Sequence, residues 1–308
     1  MSDTRLILVA GGTGFVGRAI VRELTRRGKD VVVLTRDRAR AEARLGDNVE
    51  YREGDVRDPA SLASAMTDVK AVIGSQQFPG SPMENPGKGH TFEEVDAIGT
   101  ERLVEAANAA GAERYVYVSG AGAAKDAKYH WFRAKWRAEE AVRKSGMTYA
   151  ILRPSWIYGP EDVALNRFLK MARFMPFVPL IGSAAKQRLQ PVFVDDVARI
   201  AAECVTNAAA DNREFEIGGP EVLSMTEIVR TALEVVGRKR FLLSTPAPVM
   251  KAVATVARFL PGPPLTPDAI DFITGDAVCD PTAVQEAIGV KMTPLREALS
   301  TYLGPGGE

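Results

Sequence analysis

Short apolar runs alternate with amphipathic segments through the first half of the chain. The runs are nearly continuous in Val, Ile and Leu, which is typical of strands that helices cover on both faces of a parallel sheet. They are Arg5–Ala10, Asp30–Thr35, Val49–Arg52, Ala71–Gly74, Arg114–Ser119 and Thr148–Arg153. Helices are expected near 15–28, 59–67, 91–110 and 130–145. The alternation predicts an α/β fold, a Rossmann doubly wound parallel sheet with strand order 3-2-1-4-5-6.

The rhythm changes after residue 154, where prolines cluster and helical patterns outnumber strand-like runs. The helical patterns lie near 161–175, 194–206, 224–236 and 294–302. The strand-like runs are short, as in Leu189–Phe193 and Glu214–Ile217. We therefore predict a Rossmann domain over residues 1–154 and a smaller mixed α/β C-terminal lobe over 155–308. This lobe would serve a substrate or a partner, and could be interleaved with the first domain.

Charge and composition exclude several classes of function. The 308 residues include 39 basic and 39 acidic side chains, whereas a general nucleic-acid binder would carry a basic excess. Cys204 and Cys279 lie far apart, and only His90 and His130 supply imidazoles. We therefore expect neither a disulfide framework nor a metal site, and no nucleic-acid partner.

The chain has no run of about 18 apolar residues, the minimum expected for a transmembrane helix. Its N-terminus also lacks the layout of a signal peptide. We therefore predict a cytoplasmic protein without a transmembrane segment. Residues 168–182 and 241–260 are the most apolar stretches. They could line a pocket or lie on a membrane surface, so a peripheral position is the alternative.

A glycine-rich turn joins the first predicted strand to the first predicted helix. Gly11, Gly14 and Gly17 have the spacing Gly-x-x-Gly-x-x-Gly, which in this context is typical of a dinucleotide-binding loop. Glycine permits the tight turn and lets the backbone approach a pyrophosphate, whose charge a helix N-terminus favours. The alternative is an ordinary glycine cluster between a strand and a helix. We predict that the loop binds a nicotinamide dinucleotide.

The residues at the end of the second strand bear on the choice of dinucleotide. An acid there would bind the ribose 2′-hydroxyl of NAD, whereas an arginine accommodates the 2′-phosphate of NADP. Here Thr35 is followed by Arg36 and then Asp37. A planar guanidinium suits a phosphate, so we predict NADP(H) as the preferred cofactor. NAD(H) stays open, because a small shift of register would bring Asp37 to the ribose.

The chain resembles the extended and atypical short-chain dehydrogenase/reductase superfamily over almost its whole length. The matching motifs are GGTGFVGR at 11–18, GDVRD at 54–58, RYVYVSG at 114–120, ILRPSWIYGP at 151–160, PVFVDDVARI at 191–200 and FEIGGPEVLSMTEIV at 215–229. Among its branches, the chain is most similar to the atypical one that contains the NADPH-holding accessory subunit of respiratory complex I. Bacterial relatives in that branch are described as epimerase/dehydratase-like.

The resemblance implies a set of cofactor contacts along the chain. The loop would contribute Gly11, Thr13, Gly14, Phe15, Val16 and Gly17. Asp55 and Val56 would lie against the adenine, and Gly74 and Ser75 beside the nicotinamide ribose. The remaining implied contacts are Val118, Ser119, Lys135, Pro154 and Ser155.

The catalytic pattern of the superfamily is incomplete in this chain. Its usual Tyr-x-x-x-Lys pair shares one helix face, and here Lys135 is present while Trp131 occupies the tyrosine position. Indole has no group that titrates usefully. Tyr129 could replace the tyrosine only if the helix begins late or bends. The resemblance puts Ala121 at the serine position, with Ser119 nearer the cofactor, and Asp96 at the asparagine position.

Three interpretations of this site stay open. In the first, Lys135 is itself the acid or base, as in isoflavone-reductase-like relatives, with a pKa lowered by desolvation beside an aromatic ring. In the second, NADPH is a structural or sensory ligand. In the third, Tyr129 or Tyr158 acts, although Tyr158 is also a candidate packing residue. Whether the chain is an enzyme is therefore uncertain from the sequence.

Bulky apolar side chains follow the predicted nicotinamide end. Trp131, Trp156, Phe168 and Met171 are expected to line a substrate pocket, or else to form core. We predict an NADPH-dependent reductase of a hydrophobic small molecule, such as an aromatic, terpenoid or quinone-like carbonyl compound. The alternative is a non-catalytic NADPH-binding structural, assembly or regulatory protein with a protein or membrane partner. Asp195 and Asp196 are interpreted as a helix N-cap.

Overall fold

The computed structural model describes residues 6–257 and 267–304. The strands are β1 Leu6–Ala10, β2 Val31–Thr35, β3 Glu50–Glu53, β4 Val69–Gly74, β5 Arg114–Val118, β6 Thr148–Pro154, β7 Ile157–Tyr158, β8 Phe177–Ile181, β9 Val192–Phe193, β10 Arg213–Ile217 and β11 Phe241–Thr245. The α-helices are α1 Phe15–Arg26, α2 Arg38–Leu45, α3 Pro59–Ala65, α4 Gly99–Ala109, α5 His130–Arg143, α6 Val163–Phe174, α7 Val194–Cys204, α8 Met225–Val235, α9 Ala247–Ala257, α10 Pro267–Thr274, α11 Thr282–Ile288 and α12 Leu295–Tyr302.

The main sheet is parallel and confirms the predicted fold class. Its order is β10-β6-β5-β4-β1-β2-β3 within the described ranges, which contains the predicted order 3-2-1-4-5-6. The central strands are buried on both faces, as their continuous apolar sequences predict. The carboxyl ends of β1, β2 and β4 therefore lie side by side, where an α/β sheet presents its ligand crevice.

The seventh strand corrects one prediction. Glu214–Ile217 was expected in the smaller lobe, but β10 pairs in parallel with β6 in the main sheet. Phe215 faces Leu152 across this pair, and both side chains are fully buried. Burial of these apolar side chains stabilises β10 at the edge of the main sheet. The strand that β10 pairs with could not be predicted from the sequence of β10 alone.

Two compact units divide the chain. The first holds the described residues up to Pro154 together with Val194–Ile217 and Asp280–Lys291. The second holds Ser155–Phe193, Gly218–Cys279 and the described residues from Met292 onward. Both units are therefore assembled from separate stretches of the sequence.

Helix α7 belongs to the first unit, although its sequence was assigned to the smaller lobe. Its apolar side is buried, and Arg27 after α1 forms a 2.5 Å ion pair with Glu203. The helix begins at Val194, so Asp195 and Asp196 lie in its first turn. The N-cap interpretation of these two acids is wrong. Their charges still favour the positive end of the helix dipole, and Asp196 also pairs with Arg199.

The segment before α4 is a π-helix, Phe92–Ile98. The sequence predicted one continuous helix near 91–110, and the structure divides it at Gly99. Thr91 caps the π-helix by accepting a hydrogen bond from the amide of Glu94 at 3.1 Å. A π-turn of this kind changes which side chains face inward, and such turns are frequent at functional sites. In this chain it carries the buried Asp96.

The second unit contains two small parallel pairs, β8 with β11 and β7 with β9. Helix α8 begins with a capping box in which Ser224 and Glu227 bond each other's backbone amides. Helix α12 packs on α8, and its buried residues Leu295, Ala298 and Leu299 face the core of this unit. Among the described residues, no helix is long and apolar enough to cross a membrane.

Candidate functional site

The glycine loop lies between β1 and α1, and its geometry requires glycine at two positions. Gly11 has a φ of +77°, and a Cβ there would lie 2.6 Å from the backbone of Ser75 and Gln76. A Cβ on Gly17 would overlap the carbonyl oxygen of Gly11. The amide of Gly14 donates to that same oxygen at 2.8 Å. The turn is therefore as tight as a dinucleotide loop must be for a phosphate to reach the backbone.

Helix α1 begins immediately after this turn without a side-chain cap. Gly14 is its N-cap, and no acidic residue occupies its first turn. Amides in the first turn of a helix have no partner within the helix and favour an anion. The loop and the helix start can thus hold a pyrophosphate.

A cavity of about 480 Å³ opens beside the loop in the first unit. The predicted cofactor residues that line it are Gly11, Thr13, Gly14, Phe15, Val16, Arg36, Asp55, Val56 and Ser75. The other predicted cofactor residues, Gly17, Gly74, Val118, Ser119, Lys135, Pro154 and Ser155, are not part of its lining. The cavity therefore brings together the residues predicted for the adenosine and pyrophosphate end of the cofactor, and adds Ser75 from those predicted beside the nicotinamide ribose.

Basic residues missed by the sequence analysis enrich one wall of the cavity. Arg40 and Arg44 of α2 line it together with the predicted Arg36. Arg44 donates to the carbonyl of Thr13 at 3.2 Å and so links α2 to the glycine loop. In the described part of the chain, the guanidinium groups of Arg36 and Arg40 have no carboxylate partner. The regular spacing of four residues between Arg36, Arg40 and Arg44 is the sequence feature that could have identified this basic wall.

Asp37, next to these arginines, is the N-cap of α2. Its carboxylate caps α2 by accepting a hydrogen bond from the amide of Arg40 at 3.0 Å. A cap of this kind stabilises a helix by about 1 kcal/mol. The acid that kept the NAD interpretation open is therefore already engaged with the backbone.

Asp55 and Val56 lie at the end of β3, where the resemblance placed the adenine. Burial would raise the pKa of the Asp55 carboxyl, but hydrogen bonds from Arg57 lower it below its usual value. A guanidinium nitrogen of Arg57 lies 2.7 Å from a carboxylate oxygen of Asp55. Val56 packs so closely on α4 that a Cβ at Gly99 would lie 2.8 Å from its methyl group. Asp55 thus stays ionised and fixed at the cavity wall.

Gln76 is a cavity residue that the sequence did not reveal. Its side chain is only 7% exposed, and its amide nitrogen donates to the hydroxyl of Thr100 at 2.8 Å. Thr100 in turn donates to the carbonyl of Asp96 at 2.5 Å. The Gln76 carbonyl oxygen has no hydrogen-bond partner among the described residues. This oxygen is itself buried, and a buried acceptor without a partner is costly.

Lys135 lies 2.7 Å from a carboxylate oxygen of Asp96, which is completely buried. Burial lowers the pKa of Lys135, but Asp96 and Tyr117 outweigh it and raise that pKa above its usual value. The Lys135 ammonium also lies 5.4 Å from the centre of the Tyr117 ring. The expectation of a lowered lysine pKa is therefore wrong, because the sequence did not place Asp96 opposite Lys135. Burial raises the pKa of Tyr117 to about 12.

Trp131 is 4% exposed and belongs to the core of the first unit. Its indole stacks on the ring of Tyr129, with centroids 4.4 Å apart and planes 7° from parallel. Tyr129 is the N-cap of α5 and lies outside the helix. The structure therefore places Trp131 in packing instead of at an open pocket mouth. It does not bring Tyr129 onto the helix face of Lys135.

Ser119, directly after β5, belongs to a buried polar network with residues of α5 and β6. Its hydroxyl donates to Glu139 at 2.7 Å, and Glu139 is fully buried. Arg153 donates two hydrogen bonds to the same carboxylate, and Arg143 donates another. This network pairs the buried carboxylate with two guanidinium groups and satisfies the hydroxyl, as buried ionic groups require.

The other candidate site residues named from the sequence belong to the second unit. Trp156, Phe168 and Met171 are half-buried, the last two on α6, which Asp162 caps. Ser155 donates a hydrogen bond to the carbonyl of Gln190. Tyr158 is fully buried, 5.8 Å from the ring of Phe193. Across the described ranges, no three His, Cys, Asp or Glu side chains are grouped to hold a metal ion.

Comparison with known proteins gives a family and several relatives. A family described as NAD(P)H-binding matches residues 11–208. The NADH dehydrogenase (ubiquinone) 1 alpha subcomplex subunit 9 of Arabidopsis thaliana is 30% identical over 293 residues, covering 90% of this chain and 71% of that protein. The NAD(P)H azoreductase of Xenophilus azovorans is 26% identical, covering 76% and 74%. These relatives share most of their length with this chain.

A solved structure matches the fold over nearly the whole chain. The NADPH complex of the NADPH-dependent quinone oxidoreductase from Escherichia coli superposes with a TM-score of 0.74. The match covers 96% of this chain and 99% of that one at 20% identity. At this identity the likeness shows a shared fold.

Proposed function

The chain belongs to the NAD(P)H-binding family, as an atypical short-chain dehydrogenase/reductase, and on that premise we propose that it prefers NADP(H) to NAD(H). Arg36 and Arg40 carry this proposal, because they line the cavity without carboxylate partners in the described part of the chain. A phosphate monoester would offer each guanidinium a charge-assisted hydrogen bond. Asp37 also lines the cavity and caps α2 with one carboxylate oxygen, so the proposal rests on the two arginines and not on the absence of this acid.

Other features of the cavity fit the rest of the dinucleotide. Gly11 and Gly17 leave space that a Cβ would fill, and the uncapped start of α1 favours the pyrophosphate. When bound, NADPH supplies a hydride equivalent to an acceptor.

For the reaction, we propose reduction of a hydrophobic conjugated acceptor, such as a quinone or an azo compound. The residues at the usual acid position supply no proton, because Trp131 does not titrate and the raised pKa of Lys135 keeps it charged. Lys135 therefore acts as a fixed positive charge. Acceptors of this type need no positioned side-chain acid, since water can protonate the reduced product. A relative named as an NAD(P)H azoreductase supports this choice.

A second candidate is a protein that holds NADPH without turning it over. The ion pair between Lys135 and Asp96 favours it, because it gives the lysine a complete structural role. The relative that is 30% identical is named as a subunit of a larger assembly. In this case the bound cofactor would stabilise the first unit so that a partner protein could bind it. The fixed charge of Lys135 would then contribute to binding the cofactor and not to a reaction.

One experiment separates these candidates. The protein is first titrated with NADPH and with NADH by calorimetry, and the NADPH complex is then mixed with menadione or methyl red while absorbance at the reduced nicotinamide band is followed. Tighter binding of NADPH and acceptor-dependent oxidation support the reductase. Tight binding with no oxidation by either acceptor supports the holder. Equal binding of NADH, or no binding, contradicts the cofactor proposal itself.

A further inference from the structure

The small sheet of the second unit has one apolar face turned to solvent. Strands β8 and β11 pair in parallel, with Phe241 beside Phe177 and Leu243 beside Pro179. Partners of this kind project from the same face of a sheet. On the opposite face, Val178 is fully buried. Phe241, in contrast, is 78% exposed and Leu243 is 51% exposed. We call Phe177, Pro179, Phe241 and Leu243 the apolar sheet face.

The segments next to these strands in the sequence also expose apolar side chains. Phe174, at the last position of α6 and three residues before β8, is 83% exposed. Val249 and Val253 follow β11 on helix α9, are both exposed, and share one helix face at a spacing of four residues. Single exposed apolar residues are ordinary, but a group of large ones on adjoining elements marks an interaction surface.

The two chain segments that build this surface carry only positive charge. Residues 163–182 and 236–257 contain seven basic residues and no Asp or Glu, although the whole chain has 39 of each charge. The basic residues are Arg167, Lys170, Arg173, Arg238, Lys239, Arg240 and Lys251. Lys251 pairs with Asp271, and Arg240 donates to the carbonyl of Ala172 at 2.9 Å. The other five have no ion-pair partner among the described residues.

We propose that this surface docks the protein on the face of an anionic lipid bilayer. Aromatic and aliphatic side chains would enter the interfacial region, while the surrounding lysines and arginines bind lipid phosphates. Long basic side chains can place their methylene groups along the apolar boundary and their charges at the headgroups. Because no described helix is long enough to cross a bilayer, the attachment is peripheral.

The charge pattern favours a bilayer over a second copy of the chain. In a symmetric dimer the same patch meets itself, so the basic residues that lack an ion-pair partner would face one another across the interface. Such like-charge contacts are unfavourable. A bilayer that contains phosphatidylglycerol supplies the opposite charge at high density and accommodates apolar side chains at the same depth.

Vesicle flotation of the full chain tests this proposal. Vesicles of phosphatidylcholine alone are compared with vesicles that contain one third phosphatidylglycerol, at low and high salt. We expect binding only to the anionic vesicles, weakened by salt. F241S should weaken binding about tenfold, because a buried phenyl ring is lost. The double variant R238E/K239E should weaken it at least about 25-fold, at about fivefold for each charge.

Two matched variants serve as controls. V222S removes an apolar residue that is 46% exposed and lies outside both of the segments that build this surface. K70E reverses an exposed charge of the first unit. Both should bind anionic vesicles like the unaltered chain. Failure to bind anionic vesicles, equal binding to both vesicle types, or equal losses in the controls would overturn the proposal. So would a dimer in sedimentation that F241S dissociates while vesicles are not bound.

Discussion

The ammonium of Lys135 lies 2.7 Å from the carboxylate of Asp96, which the π-helix carries into the core of the first unit. This pair decides the chemistry available to the lysine. In a buried position a lysine without a partner would lose its proton easily, whereas beside Asp96 the pKa of Lys135 is raised.

Asp96→Asn should therefore destabilise the protein strongly, because it leaves the Lys135 charge buried without a partner. We expect a loss of about 3–5 kcal/mol in the free energy of unfolding, measured by urea denaturation. Glu101→Gln is the control, since it breaks a more exposed pair with Arg137, which is worth about 1 kcal/mol or less. The double variant Asp96→Asn with Lys135→Met should recover part of the loss. A loss in Asp96→Asn no larger than in the control would contradict the structural role of the pair.

Arg36→Ala and Arg40→Ala should weaken NADPH binding while NADH binding stays unchanged. A charge-assisted hydrogen bond contributes about 1.5–3 kcal/mol, so each variant should lose about 10- to 150-fold in NADPH affinity. Calorimetric titration measures both cofactors. Arg38→Ala is the matched control from the same helix, because Arg38 pairs with Glu42 and does not line the cavity. Parallel losses for NADPH and NADH would argue that the arginines act on a part common to both cofactors.

Gly17→Ala should disrupt the glycine loop, since the added Cβ would overlap the carbonyl oxygen of Gly11. We expect a loss of about 1–3 kcal/mol of stability from overpacking and at least a tenfold loss of affinity for both cofactors. Thermal unfolding with and without NADPH measures these effects. Gly120→Ala is the control, because nothing lies within 4 Å of its added Cβ. Unchanged binding in Gly17→Ala would show that the loop does not hold the cofactor.

Acid should remove stability through Glu23 on α1. Hydrogen bonding to Arg26 is the main cause that lowers the pKa of Glu23 to about 2, and Arg27 contributes as well. A carboxyl with a depressed pKa in the folded state stabilises the protein above its usual pKa. This contribution is lost as the pH falls from about 4.5 toward 2.

The control for this acid effect is Glu23→Gln. In urea denaturation series between pH 6 and pH 2, the unaltered chain should lose more stability than Glu23→Gln in that acid window. Parallel pH curves for the two proteins would refute the assignment. Because the ion pair of Arg27 with Glu203 remains in both, the comparison isolates the carboxylate of Glu23.

The local pattern of the sequence determined most of the first unit. Six strands and the helix after the glycine loop follow from residues close together in the chain, because strand burial and the glycine turn are local requirements. Arg36 was found in the same way, since its place at the end of β2 follows from the strand before it. The two helical arginines beyond it were missed, because a basic residue on a short helix is ordinarily solvated.

Only the tertiary structure decided where distant segments meet. It placed β10 beside β6 and α7 in the first unit, and it brought Asp96 to Lys135. The sequence alone determined that the chain contains a dinucleotide loop and which side chains could carry chemistry. Their protonation depends on partners far along the chain, because burial and electrostatic pairing are properties of neighbours in space and are absent from the order of residues.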